Sequence, residues 1–241
     1  MCIRDRLELD IRFREAGQLA NPTSSADTAK GVASAASSVR QALKNSFLSA
    51  FAPALDEIDK AVTALNDAAS LAMEYLGLPQ SLIAEGLAYV QSLIATPAAF
   101  FDALVGLFGG LLGNESGEKA LAAPVSDASF SIASGEGTAP LESILGGSAV
   151  ITIEAERVIR DTVAQVVVIE TAASTAHTEY ATADDALADR DAVVEGLDTI
   201  EPAADDAVFL GLAELRRAVV TDLTTRGAEL PRVRSVTLPG T

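Results

Sequence analysis

Near the start of the chain, Leu7, Leu9, Ile11 and Phe13 alternate with Glu8, Asp10, Arg12 and Arg14. That period of two is the signature of a half-buried β-strand, and Gly17 and Pro22 close it. A strand needs neighbours for its backbone groups. The stretch that follows supplies no clear one, so the strand reads as the leftover edge of a sheet encoded upstream. The alternative is pairing with the C-terminal "VRSVTL". From Asp27 the period lengthens. Val32, Val39, Leu43 and Phe47 recur at helical spacing behind Ser and Asp caps. A second helix, started by Pro53, carries Leu55, Ile58, Val62 and Leu65 on one stripe and Asp56, Glu57, Asp59 and Lys60 on the other. Gly77 and Pro79 end it after Leu76. A third covers about Gln80 to Ile94. A fourth, "PAAFFDALVGLFGGLLG", is apolar almost all round, with Asp102 as its single charge. Such a helix is either buried or meets a membrane.

Residues 113–147 break the pattern. "GNESGEKALAAPVSDASFSIASGEGTAP" is rich in Gly, Ser, Ala and Pro and reads as a linker, closed by a short apolar turn, "LESILGG". Beyond it, "AVITIEAERVIRDTVAQVVVIETAASTAHTEY" is ambiguous. Its β-branched residues suggest strands. Its spacing (Ile151, Ile159, Val163, Val166, Val167) and lack of turn residues predict one long helix. Two more helices follow, "TADDALADRDAVVEGL" and "PAADDAVFLGLAELRRAVVTDLTTRG", each opening on acids as the helix dipole favours. The predicted fold is therefore mainly α. Two helical segments, 23–112 and 148–230, are joined by the linker 113–147. The strand and its exit occupy 7–22, and a further segment begins at 231–241.

Composition agrees with helices. Of 241 residues, 49% are hydrophobic and only 5% aromatic, and Trp is absent, which suits close small-residue packing. The net charge of −17 alters the functional picture. A surface of that sign repels nucleic acid, and no basic run offsets it: Arg216 and Arg217 are followed only at a distance by Arg226, Arg232 and Arg234. No apolar leader is visible at the N-terminus.

Candidate chemistry is sparse. His177 is the single histidine, so a catalytic triad or histidine-rich zinc site is out of reach, and it reads as a surface residue. Asp184, Asp185, Asp189 and Asp191 lack the glycine and closing glutamate of a calcium loop and read as helix-start acids, as do Asp205 and Asp206. "LGGSA" and "LFGGLLG" lack the Gly-Lys-Ser/Thr of a phosphate loop. No catalytic, cofactor-binding or metal-binding residue is assigned, and no enzyme activity is expected. The apolar segment 95–113 is short for a bilayer span and interrupted by Pro97, Asp102 and Gly109-Gly110, so a buried helix is expected, with membrane contact as the alternative.

Four strings carry two resemblances. "MCIRDR" matches the conceptual translation of a transposon-derived sequencing adapter, so residues 1–6 are read as foreign. Without Arg4, Asp5 and Arg6 the net charge moves from −17 to −18, and without Cys2 the remainder has no cysteine. "IRFREAGQLANPTSSADT", "YATADDALADRDAVVEGLD" and "LGLAELRRAVVTDLTTRGAELPRVRSVTLPGT" together resemble the DNA circularisation proteins of Mu-like phages and prophages. The first is similar to the close of that family's N-terminal domain and the others to its C-terminal helical stretch. Between them only helical character matches, and a short Leu- and Tyr-containing segment that the family has next is absent. The resemblance implies a place in the tail hub or baseplate of a contractile-tailed phage, assembled in the bacterial host cytoplasm. Its partners would be other tail and baseplate proteins. On that reading the contact surfaces are the strand (Leu7, Leu9, Ile11, Phe13) and the apolar helix (Phe100, Phe101, Leu104, Phe108). A membrane-active helical protein using 95–113 is the second class kept open.

Overall fold

The computed structural model describes residues 11–14, 27–51, 58–114, 141–145 and 154–236. They form a mainly α-helical bundle with one two-stranded sheet. Helix α1 (Thr28–Phe51) begins at Asp27, whose carboxylate accepts the Lys30 N–H at 3.0 Å. Its buried face runs Val32, Ala35, Ala36, Val39, Leu43, Phe47, Phe51, the spacing of one helical stripe. Helix α2 (Ile58–Tyr75) buries Ala61, Ala64, Leu65, Ala68, Ala69, Ala72 and Met73. Val62, expected on that face, is only half-buried, because the true contact face is an alanine strip that lets a neighbour approach closely. Leu55 lies outside the described residues. Gly77 ends α2 with φ 67°; its N–H reaches the Glu74 carbonyl at 3.1 Å, and the Leu78 N–H reaches Met73 at 2.9 Å. Glycine adopts that left-handed turn without a Cβ clash.

The third predicted helix is shorter than the 80–94 expected. A 3-10 turn at Gln80–Leu82 precedes α3 (Ala84–Ser92). Helix α4 (Pro97–Leu111) starts on Pro97 as predicted, since a first-turn residue needs no N–H partner. Its end repeats the α2 device: Gly113 has φ 75°, and the Asn114 N–H bonds the Gly109 carbonyl at 2.7 Å. Gly113 and Asn114 therefore belong to the end of α4, not to a linker. Residues 115–140, most of the predicted linker, lie outside the described residues, as do 1–10, including the adapter-like string. A single turn, α5 (Leu141–Ile144), is the predicted apolar turn.

Helix α6 (Glu154–Ser174) is one helix, as its spacing predicts, and it lies at the centre against α1, α2, α4, α5 and α7. Tertiary burial overrides the poor helix propensity of Val163, Val166, Val167, Val168 and Ile169. It stops at Ser174, before the predicted Tyr180. Helix α7 (Ala183–Ile200) is capped by Thr182, whose hydroxyl accepts the Asp185 N–H at 3.1 Å, and α8 (Asp206–Ala228) by Asp205, which accepts from Val208 at 2.9 Å.

Helices α1 and α8 form the most extensive seam and run antiparallel. Gly211 near the start of α8 faces Val39, while Thr28 at the start of α1 bonds Asp222 near the end of α8. A Cβ at Gly211 would stand 3.0 Å from Val39 Cβ and 3.1 Å from its Cα, so the close approach requires glycine. With α2 on α6 as well, helices from before and after residues 113–147 enclose one shared core.

The strand corrects an expectation. β1 (Ile11–Arg14) has a neighbour within the chain: β2 (Val233–Val236) pairs with it antiparallel, Ile11 opposite Val236 and Arg14 opposite Val233. The pairing with the C-terminal "VRSV", the alternative on sequence grounds, is the one observed. Residues 231–236 accordingly close back on this chain, and the Pro231 carbonyl accepts the Ala183 N–H at 2.9 Å.

Candidate interaction surface

The eight residues singled out in the sequence fall into three places. Leu7 and Leu9 lie outside the described residues. Ile11 and Phe13 sit in β1, opposite Val236 and Arg234. Phe100, Phe101, Leu104 and Phe108 are buried in the chain's own core, so they are not a contact surface. Phe100 stacks on Phe47 and Phe51 with centroids 5.7 and 6.0 Å apart, and Phe101 lies 5.7 Å from Phe47. The rings that looked free for a partner are saturated by α1. Among the described residues, no helix is long and apolar enough to cross a membrane.

The interior also holds carboxylates that sequence reasoning did not single out as buried. Glu170 of α6 is fully buried. Arg40 of α1 meets it with two parallel bonds, Nε at 2.5 Å and Nη2 at 2.7 Å. The Asn114 amide donates to its side chain at 2.9 Å and to its backbone carbonyl at 2.8 Å. Three elements thus converge on one charge, and the Gly113 turn is what delivers Asn114. Asp222 of α8 is the second such group. It accepts the Thr28 hydroxyl at 2.6 Å and the Arg226 Nε at 3.0 Å. Arg226 also donates to the carbonyls of Thr175 at 2.5 Å and Thr178 at 3.0 Å, and lies 5.5 Å over the Tyr180 ring. Those carbonyls lie just past the end of α6 at Ser174, so Arg226 satisfies backbone acceptors that no continuing helix bonds.

Asp189, read from the sequence as a helix-start acid, is buried near Tyr180. Burial first, and the Asp189 charge second, push the Tyr180 phenol well above its ordinary value. Asp205 behaves as expected of a cap: the Val208 N–H, helped by Ser46, holds its carboxyl below the usual range. Asp161 is raised by burial in spite of Arg157 beside it. A lone Glu in "VVVIETAAS" was the one sequence signal for a buried charge. Asp189 lies between Ala188 and Arg190 and Asp222 between Thr221 and Leu223, mixed surroundings that mark neither as buried.

His177 is exposed, and among the described residues no group of three or more His, Cys, Asp or Glu is placed to hold a metal. A groove of about 580 Å³ runs between α1 and α8, lined by Gly31, Ser34, Ser38, Arg217 and Thr221 among others. Its charges are matched locally: Arg217 pairs with Glu214 at 3.3 Å, and Asp27 caps α1. The outer face of α8 leaves Phe209, Leu210 and Val220 exposed, and Tyr89 is half-exposed on α3. What the described surface offers is therefore contact area and one strand ribbon. Compared with protein-family models, curated proteins and solved structures, the chain matches none.

Proposed function

We propose that this chain is a structural component of a phage tail or baseplate, akin to the DNA circularisation proteins, that acts by packing against other tail proteins and not by catalysis. The observation that carries the reading is the pairing of β1 with β2. Two of the three strings that carry the family resemblance hold these strands, and α7 and α8 lie largely in the second and third, so the similar segments form one connected part of the molecule. The buried Glu170 and Asp222 support a packing role, because each ties helices of the bundle together. Direct contact with DNA is not part of the proposal, since the net charge of −17 opposes it.

The reading frames that flank this one provide the test. Contractile-tail genes on either side are expected, and co-expression with the adjacent baseplate proteins should yield a complex. Flanking genes of unrelated character, together with no complex, would overturn the reading. A salt-dependent shift of duplex DNA by micromolar protein would instead restore a direct DNA role.

A further inference from the structure

Leu210 is the most exposed large apolar side chain among the described residues, at 68%. It stands on the outer face of α8 in line with Glu214, Arg217 and Thr221, because positions i, i+4, i+7 and i+11 share one side of a helix. The far end of that line borders the groove between α1 and α8. The walls there are small: Gly31 and Ala35 of α1, Ala218 and Thr221 of α8. A Cβ on Gly31 would meet nothing within 4 Å, so the floor is open. Leu210 and Thr221 thus mark a knob and a hole on one helix face, about 16 Å apart along its axis. Between them Glu214 and Arg217 meet at 3.3 Å, with side chains 57% and 77% exposed.

We propose that α8 docks antiparallel on α8 of a second copy, about a two-fold axis between Glu214 and Arg217, so that Leu210 of each chain fills the α1–α8 groove of the other. In that register Leu210 lies opposite Thr221 at both ends, and Glu214 opposite Arg217 twice at the centre. An isologous interface requires such self-complementarity. Competing arrangements lose it. A slip of three residues either way sets Glu214 against Glu214 or Arg217 against Arg217. Parallel docking in register does both at once and turns each Leu210 away from the hole. A foreign helix would have to match the knob, the charge order and the spacing together; a second copy does so by symmetry. An exposed ion pair within one helix is worth little, so exchanging it across the axis costs little. Phe209 and Val220, also exposed, flank the line and widen the apolar contact. Repulsion between the two acidic bodies is screened beyond ~8 Å at physiological salt, whereas these groups meet in contact. Only the geometry of α1 and α8 carries this inference, so it and the tail proposal fail separately.

The test is the mass of the full chain at physiological salt, by light scattering and analytical ultracentrifugation across micromolar concentrations. The wild type is expected to dimerise. Leu210→Asp removes the knob from a solvent-facing position, and Gly31→Leu fills the hole from within, where a Cβ has open space. Each should weaken dimerisation on the order of 10-fold or more. Glu214→Arg and Arg217→Glu should each weaken it too, since like charges then meet at the axis. Mixed in equal amounts, those two charge variants should recover dimerisation as a heterodimer. Circular dichroism checks that the helical body is intact in all four. A monomeric wild type, a dimer indifferent to Leu210→Asp or to Gly31→Leu, or a charge mixture that stays monomeric would each overturn the proposal.

Discussion

Helices α4 and α6 are both enclosed on nearly every side, by different chemistry. Between Phe100 and Leu111 of α4 only Asp102 reaches solvent, where Lys44 holds it at 2.6 Å. The rest is apolar surface and glycine. Helix α6 is buried without a break from Thr162 to Ala173, yet that stretch includes Gln165 and Glu170. Apolar burial is non-directional, so α4 can be held by whatever fills the space around its rings. A buried carboxylate is directional. Glu170 is tolerable only where Arg40 and the Asn114 amide both arrive. The lesson is that α4 supplies bulk and α6 supplies register: its charge fixes where α1 and the end of α4 must sit.

The largest expected effect tests that distinction. Arg40→Leu leaves Glu170 buried without its cation and should cost ~3–5 kcal/mol. Chemical denaturation would read the loss. The double change Arg40→Leu with Glu170→Leu should recover most of it, because no unpaired charge remains. If the double variant is as unstable as the single one, the charge is not what the site depends on. Phe100→Ala in α4 should also cost about 3–5 kcal/mol through the cavity it opens against Phe47 and Phe51. The apolar helix offers no compensating second-site removal, so pairing it with Phe51→Ala should deepen the loss.

Smaller effects sharpen the contrast at the α1–α8 seam. Gly211→Ala gains helix propensity of about 1 kcal/mol but forces a contact near 3.0 Å with Val39. Overpacking costs typically ~1–3 kcal/mol, so a net lowering of the melting temperature is expected. A rise would mean that the seam relaxes easily. The smallest effect is at a cap. Asp205→Ala should cost ~1 kcal/mol at neutral pH. Because the folded carboxyl titrates below its ordinary value, that stabilisation is complete above the unfolded pKa of about 4 and fades as pH falls through the folded one. Melting both proteins along a pH series would show the difference narrowing in acid. A difference constant with pH would deny the ionised cap its part.

The same contrast explains what could be read from the chain. Pro97, the apolar run after it and the Gly-containing end announce α4 without ambiguity. Its burial was legible too; its use as a contact surface was not sustained, because the partners of its rings are Phe47 and Phe51, fifty residues away in sequence at roughly that order. Helix α6 is harder. Val and Ile favour strands locally, and only the surrounding helices make the helical state win. Asp189 and Asp222 sit among mixed apolar and polar neighbours, so nothing local marks them as buried. The β1–β2 pairing joins the far ends of the chain, a contact that periodicity can suggest but not choose.

That pairing has a mechanical consequence. Ile11 and Val236 face each other, so the chain enters and leaves the ladder at the same end. Tension applied through those two ends would peel the strands apart one rung at a time, not shear them. The load would pass next to the antiparallel pair α1 and α8, again at one end, where Thr28 holds Asp222 and Arg226 braces it. Pulling on single molecules should therefore give a soft first yield followed by a firmer one, and Thr28→Val should lower only the second. One strong peak alone would show that the ends are not gripped in series. When its two ends are drawn apart, the strand ribbon is thus expected to give way ahead of the α1–α8 seam.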